Sequence, residues 1–522
     1  MTNQGIRLGV DVGGTNTDAV LIQGQQVLAT TKQATSRNIH QGIQNAVTRV
    51  LFDSGLKASD INYCMIGTTQ FTNAFVRGQE LNDVAIVRLG TPAAKALPPL
   101  TGWPDVMRNS FNQHVFMLPG GHHFDGQVNS DFDEASLEEV IEAIKTHQLQ
   151  AVAISSVFSP INNEFELRAK KRLKQQFPEL AVSLSHEIGK VGIIERENST
   201  IMNACLANLA TRVIDAFESS LAVLGINAPL YITQNDGTLL SAAQVRRFPV
   251  LTFASGPTNS MRGAAFLSGY EHAVVADIGG TTTDVGMLQQ GFPRESSLPV
   301  DIGGVRTNFR MPDIIAVGLG GGSICSLPDG KVGPDSVGYR LLQDAKSFGG
   351  AQLTATDWAL SSRLCDIPGA QPALTGLSGT EIQLLGKTIQ QLIARGIDEI
   401  KTSRAPLPLI LVGGGHFLVQ QTPDGISEVI RPPHAEVANA IGASIGQVSG
   451  ELDRIFHYET QSRESALEQA KQGAIDAAVA AGALPHTVSV LDIQEIPLSY
   501  VEGQATRIRI RATGQLFEGD LQ

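Results

Sequence analysis

The stretch Gly9-Val10-Asp11-Val12-Gly13-Gly14-Thr15-Asn16-Thr17-Asp18 returns far downstream as Ala276-Asp277-Ile278-Gly279-Gly280-Thr281-Thr282-Thr283-Asp284. Each copy runs an apolar segment into an Asp, two glycines and hydroxyl residues, then a second apolar segment, which predicts strand, tight turn, strand. The glycines leave no side chain between main-chain N–H groups and a ligand. Such groups, with Thr hydroxyls beside them, suit phosphate oxygens. The Asp at each strand end is placed to hold a divalent cation, directly or through its waters, because Mg²⁺ prefers carboxylate, water and phosphate oxygens. One Gly-Gly turn could be only a hairpin, whereas two copies with matched acids argue for a duplicated site. No Gly-x-x-x-x-Gly-Lys-Ser/Thr is present, so a Walker-type loop is excluded.

At 522 residues the chain exceeds what one hydrophobic core usually supports, so two or three domains are expected. A formal charge of −12 gives no basic footprint for nucleic acid or an anionic membrane. Anionic nucleotides must then be met locally, by glycine loops and metal. Met1 to Gly5 carries no basic leader, and no stretch reaches the roughly 20 apolar residues that cross a bilayer, so a cytoplasmic location is expected. Cys64, Cys205, Cys325 and Cys365 lie far apart without a Cys-x-x-Cys and read as small hydrophobes.

In chain order, strands over Asp18–Ile22 and Gln26–Thr31 and a helix over Ile39–Phe52 make an α/β beginning. The strand Ile61–Ile66 runs into Gly67-Thr68-Thr69 and Thr72-Asn73-Ala74, small polar residues at a strand end, where open α/β sheets bind ligands. A helix N-cap at Thr68 or Thr69 is the alternative. From about Arg77 to Gln148 the pattern loosens around Pro92, Pro98, Pro99 and Pro104, and reads as an insertion. His122 and His123 invite a metal assignment, but adjacent residues diverge in a helix and face opposite ways in a strand.

Regular α/β resumes with a strand over Ala151–Phe158 and a helix over Glu164–Gln176. A long helix from Glu195 to about Leu224 follows, with polar turns on a solvent face, and Glu195 and Arg196 read equally as a surface ion pair. Strands are expected over Pro229–Thr233 and Val250–Ala254, the latter ending in Ser255-Gly256-Pro257-Thr258. Gly320-Gly321-Gly322-Ser323 adds a third anion-compatible loop. A buried strand ends in Gly413-Gly414-Gly415, where a flat adenine and ribose can lie against bare backbone. The small residues Ala440, Gly442, Ala443 and Gly446 let helices approach closely and suit a hinge between domains. A helix over Glu464–Ala481 and strands over Thr487–Leu491 and Arg507–Arg511 complete the tail.

Taken in order, these motifs resemble those of the actin-like ATPase superfamily. More closely, the chain is similar to the A-type subunit of the hydantoinase/oxoprolinase family, through Asp11 to Asp18, Gly67-Thr68-Thr69 with Thr72-Asn73-Ala74, Ser185-His186-Glu187, Glu195-Arg196 through Asn203-Ala204, Ser255-Gly256-Pro257, Asp277 to Asp284 and Gly320 to Ser323. Ile66 stands where the family usually has a His, and Ala316-Val317 where it has His-Thr.

The resemblance implies an α/β fold of actin-like (ribonuclease H-like) type with two domains, at 1–225 and 226–450, and an insertion at about 77–150; the tail itself reads as a small C-terminal α+β subdomain at 451–522. It implies a hydrolase that spends ATP, with Mg²⁺, to open a cyclic amide by phosphorylating its carbonyl oxygen. A B-type partner subunit and a homo- or hetero-oligomer are expected with it. Asp11 and Asp277 would organise metal and water, and Asp18 or Asp284 would polarise the attacking group or bond the turn's own backbone. Gly13, Gly14, Thr15, Thr17, Gly279, Gly280, Thr281 and Thr282 would hold phosphates, Gly413, Gly414 and Gly415 the adenosine, and Thr69, Asn73, Arg196 and Ser255 the substrate. The alternatives are a small-molecule kinase sharing the cleft, and a regulatory or chaperone-like ATPase.

Overall fold

The computed structural model describes residues 5–13, 16–34, 39–189, 192–296, 299–308, 311–498 and 504–516. The chain opens as the predicted hairpin, β1 (Ile6–Val12) antiparallel to β2 (Asn16–Gln23), with β3 (Gln26–Ala34) beyond it and β4 (Ile61–Thr68) parallel to β1 on the other side. Both faces of this sheet are covered, which is why its inner strands read as nearly unbroken apolar runs.

A second, wholly parallel sheet follows. It is built from β5 (Val84–Thr91), β6 (Gln113–Pro119), β7 (Ala151–Ser156) and β8 (Ala181–Leu184), in the order β6-β5-β7-β8. The segment read as irregular therefore supplies two of its strands, and β7 and β8, from beyond residue 150, supply the others. The clustered prolines hid this, because they fall in the connection between β5 and β6, where no ladder hydrogen bond is needed.

The helix Ile193–Val223 leads back to the first sheet. Its first turns do not face solvent: Arg196, Glu197, Asn198, Ser199 and Thr200 are all buried. The surface-pair reading of Glu195 and Arg196 is thus corrected, since Arg196 is 1% exposed. Burial of charge demands partners, and Glu197 takes the guanidinium of Arg88 at 2.9 Å through Nε.

β9 (Leu230–Thr233) and β10 (Thr238–Ser241) rejoin the first sheet, although they lie past residue 225. The expected strand at Val250–Ala254 is instead a 3-10 turn over Pro249–Thr252. Pro249 fixes a helical φ there, and Ala254 turns left-handed at φ 56° into the helix Ser255–Ser268.

A third sheet repeats the plan of the first. β11 (Ala273–Ile278) and β12 (Thr283–Gln289) form the second hairpin, and the strands Leu407–Val412 and Ile426–Ile430 extend it in parallel from β11. The tail strands make no sheet of their own. Gln447–His457 pairs with β10 and Ala505–Gly514, and Ser489–Pro497 closes that edge, so the first sheet has nine strands among the described residues. Among the described residues no helix is long and apolar enough to cross a membrane.

Candidate active site

The two hairpins are superposable in register. Asp11 pairs with Asp18 across β1 and β2, and Asp277 with Asp284 across β11 and β12. Gly13 N–H donates to Asn16 O at 3.0 Å, and Gly279 N–H to Thr282 O at 2.9 Å, closing the same turn twice. Like charges directly opposite each other weaken an antiparallel pair, so two such pairs mark a site rather than a stabilising device.

The helices Ser255–Ser268 and Ala438–Ser444 cross between the lobes and join the hairpins. Ser260 Oγ contacts both Asp277 Oδ2 and Asn439 Oδ1, and Asn439 Nδ2 donates to Asp11 Oδ2 at 3.5 Å. Lys32 Nζ donates to Asp18 Oδ2 and to Glu436 O, each at 2.9 Å, and so ties the first hairpin to the turn before the second of these helices.

Burial pushes Asp11 up to about 7, helped by the charges of Asp18 and Asp277 and opposed by Asn439 and Lys32. Burial, then Asp277, does the same to Asp284, which also reaches about 7. Burial likewise raises Asp18, against the pull of Lys32, and Asp277, against the hydrogen bond from Ser260. Asp11 Oδ1 and Asp18 Oδ1 are buried without a hydrogen-bond partner among the described residues. Orphaned carboxylate oxygens beside a second acid pair fit a hydrated cation, which would satisfy them and lower all four pKa values. Among the described residues no three His, Cys, Asp or Glu side chains gather to hold a metal by themselves. The donor set therefore suits a cation that keeps water and phosphate ligands.

A stability consequence follows. Asp284 has an ordinary pKa of 3.8 and a folded one of about 7, so the folded protein binds the extra proton between these values. The contribution of Asp284 to stability is then greatest below 3.8 and falls as pH rises to about 7. Asp284→Asn is expected to flatten that slope and to raise the melting temperature of the nucleotide-free protein at neutral pH, measured by thermal melts across pH.

Gly280, Thr281 and Thr282 stand exposed at the second turn, while Gly13 is half-buried at the first. Thr17 is buried, as is its counterpart Thr283, whose hydroxyl donates to Leu319 O at 2.7 Å. Gly14 and Thr15 lie outside the described residues. The third glycine loop packs on the second turn, with Gly321 N–H donating to Gly279 O at 3.0 Å and Gly322 N–H to Gly280 O at 2.7 Å. Gly413, at φ +81°, backs Asp277, since any side chain there would overlap the Asp277 carboxylate. Gly414 borders open space, and Gly415 N–H donates to Ile278 O at 2.8 Å.

Three of the four proposed substrate residues come together. Asn73 Nδ2 donates to Thr69 Oγ1 at 3.2 Å, and Ser255 Oγ donates to Thr68 O at 3.2 Å. Arg196 is directed elsewhere, donating to Ser185 Oγ at 3.0 Å and Ser156 O at 2.7 Å beneath the inserted sheet. His122 is buried against Phe165, ring centroids 4.4 Å apart, and His123 is exposed.

Ser260, Asn439 and Lys32 escaped the sequence reading. For Lys32 the reason is a bulge between Leu21 and Ile22: an unbroken hairpin would set Asp18 opposite Thr31, and the extra residue brings Lys32 there. Ser260 and Asn439 sit inside helices and carry no local signal.

Two lobes of like topology, each presenting an Asp-Gly-Gly hairpin across a pair of crossed helices, define an actin-like fold. The chain belongs to the hydantoinase/oxoprolinase family, whose N-terminal region matches residues 7–177 and whose following domain, described as hydantoinase/oxoprolinase, matches residues 196–361. It is 29% identical over 384 residues to the caprolactamase alpha subunit of Pseudomonas jessenii, covering 68% of this chain and 54% of that one. It is 25% identical over 393 residues to the acetophenone carboxylase gamma subunit of Aromatoleum aromaticum, covering 68% and 53%. The chain thus spans about half the length of the curated relatives it matches. Among solved structures, the ATP-dependent caprolactamase from Pseudomonas jessenii superposes with a TM-score of 0.79 at 21% identity, covering 98% of this chain and 88% of that one. A nucleotide-free acetone carboxylase follows at a TM-score of 0.69 and 16% identity, with the same coverages. At these identities the structural likeness speaks for the fold.

Proposed function

We propose that this chain is the ATP-binding, A-type subunit of an enzyme that opens a cyclic amide, such as a hydantoin, oxoproline or a related lactam, by phosphorylating the amide oxygen. The observation that carries this reading is the facing pair of acid hairpins bridged by Ser260 and Asn439. A lactam carbonyl is a poor electrophile, and phosphorylation turns its oxygen into a leaving group. Phosphoryl transfer needs positioning and charge neutralisation more than a covalent nucleophile.

In this reading Gly13, Gly279, Gly280, Thr281 and Thr282 hold the phosphates, with Gly14 and Thr15 completing the first turn, and Gly413 to Gly415 line the adenosine. Thr69, Asn73 and Ser255 contact the substrate, whereas Arg196, whose described donors stay inside the fold, supports its neighbours. Asp11 and Asp277 would hold Mg²⁺, which neutralises phosphate charge when bound. Asp18 and Asp284, opposite them, orient the attacking group. The name of the alpha subunit relative supports a heteromeric assembly with a B-type partner and a cytoplasmic enzyme is the setting in which ATP is supplied.

Mass analysis after incubation with ATP, Mg²⁺, a lactam and imide panel and a B-type subunit tests the reading. A product one water heavier and free of phosphate is expected; a stable phosphorylated product would instead make the chain a kinase. The acetophenone carboxylase gamma subunit and the acetone carboxylase beta subunit match a similar share of the chain, 68% and 67%. They favour a second reading, ATP-dependent ketone carboxylation, which predicts a product heavier by carbon dioxide when a ketone and bicarbonate replace the lactam.

A further inference from the structure

The inserted parallel sheet delivers its own polar cluster at the carboxyl ends of β7 and β8, the position at which open α/β sheets bind ligands. Glu166, on the helix Glu164–Gln176, is fully buried there. It accepts hydrogen bonds from Ser156 N–H at 2.8 Å, Ser185 Oγ at 2.5 Å and His186 N–H at 3.1 Å, and its Oε2 lies 2.6 Å from His186 Nδ1. Arg196 donates to Ser185 Oγ from below. Burial alone would raise the Glu166 pKa, but the bond and charge of His186, the Ser185 hydroxyl and the Arg196 charge together hold it below the usual carboxylate range. An ionised carboxylate only accepts, so Nδ1 carries the proton of this pair and a neutral His186 keeps its lone pair on Nε2.

His186 lines a cavity of about 510 Å³ together with Ser159, Asn235, Asp236, Arg454 and Arg511. The far wall comes from the tail strand Gln447–His457 and its neighbour, which explains why the tail is built into the first sheet rather than set apart. The helix Ser255–Ser268 touches both the cavity wall and the acid cleft. Asn235 O accepts from Thr258 Oγ1 at 2.9 Å, and Asn259 Nδ2 donates to Thr233 Oγ1 at 2.9 Å. Asn259 Nδ2 and Asp11 Oδ1 lie side by side at Gly67, 2.5 and 2.7 Å from where its Cβ would stand. Asn235, Thr258 and Asn259 thus lead from the cavity wall towards Asp11.

We infer that this cavity is a second reaction site, in which His186, oriented by Glu166, exchanges a proton with a small polar carbonyl compound, a cyclic amide or the open-chain amino acid made from it. Asp236, paired with Arg511 at 3.2 Å, and Arg454 line the cavity with His186, and such a mixed acid and base lining suits a molecule that becomes zwitterionic when its ring opens. The identity of the ligand rests on the cyclic-amide reading; the dyad does not. In that reaction water loses one proton to Nε2 as its oxygen bonds to the phosphorylated carbonyl carbon; that proton passes to the ring nitrogen as the C–N bond breaks, the new hydroxyl proton goes to solvent, and a second water cleaves the resulting acyl phosphate to carboxylate and inorganic phosphate. Glu166 is a positioning residue, fixing the tautomer and stabilising the imidazolium between these two events.

Two measurements on the full chain with its partner subunit decide the matter. In ¹⁵N-histidine spectra, the signal lost in His186→Gln is expected to be an Nδ1–H tautomer that disappears in Glu166→Gln and whose Nε2 shifts on addition of a lactam or an amino acid. His186→Gln is expected to lower the kcat of ring opening by about 10²-fold or more, with little change in KM and unchanged nucleotide affinity. A parental kcat in that variant, or an Nε2 signal that no lactam or amino acid moves, overturns the inference. If the parent enzyme opens no cyclic amide, the functional reading falls, and the ligand-induced Nε2 shift alone then decides on the cavity. Should Glu166→Gln not fold, His186→Gln, at a partly exposed position, carries both readouts.

Discussion

Asp277→Asn is expected to lower nucleotide turnover by roughly 10²–10³-fold, the scale of removing one preorganised electrostatic group, without loss of the fold. The substitution keeps the shape of the side chain, and its amide oxygen can still accept from Ser260. It also removes a charge that burial disfavours, so the melting temperature should equal or exceed that of the parent. The two effects together are diagnostic. A structural role would lose stability and activity in step, whereas a cation-organising role costs activity alone. Steady-state phosphate release with a parallel thermal melt is the measurement, and a variant that turns over at the parental rate would sink the assignment of the cleft. Because Ser260 and Asn439 lead from Asp277 to Asp11, Asp11→Asn should give the same pattern, and the double variant little more than either alone, as expected of groups that act as one unit.

What could be read from the sequence was whatever repeats or has a short period. The two hairpins were legible because a duplicated Asp-Gly-Gly pattern fixes strand, turn and register at once. The helices Ile39–Ser54 and Glu164–Gln176 were legible too, the first through its apolar spacing. Long-range juxtaposition was not. Nothing local says that Ser260 and Asn439, 179 residues apart, share a hydrogen bond. Nor does anything local say that the strand Gln447–His457 closes the sheet begun at Ile6. The inserted sheet was missed because its prolines dominate a composition-based reading, although they lie between its strands. Arg196 was misjudged for another reason. A charged residue at a helix start reads as solvated, and only the buried acceptors Ser185 and Ser156, brought there by β7 and β8, let it lie inside.

The largest loss of stability is expected at Gly442. A methyl group there would overlap the carbonyl oxygen of Asn259, and both atoms belong to helix backbones, which cannot swing aside as a side chain can. Overpacking of this kind costs about 1–3 kcal/mol, and a collision with backbone belongs at the upper end. Gly442→Ala should therefore lower the melting temperature. It should also damage function, because the helix it displaces carries Asn439, and the helix it displaces against carries Asn259 and Ser260. Forcing the two apart lengthens the path from Asp11 to Asp277. Gly379→Ala is the control: it is a helical glycine with nothing within 4 Å of the added atom, and replacing Gly by Ala in a helix is neutral or gains roughly 0.5–1 kcal/mol. Thermal melts and nucleotide turnover of both variants distinguish a hinge that depends on backbone contact from a helix pair that merely prefers small residues. If Gly442→Ala melts and turns over like Gly379→Ala, the crossing is not what holds the two hairpins face to face.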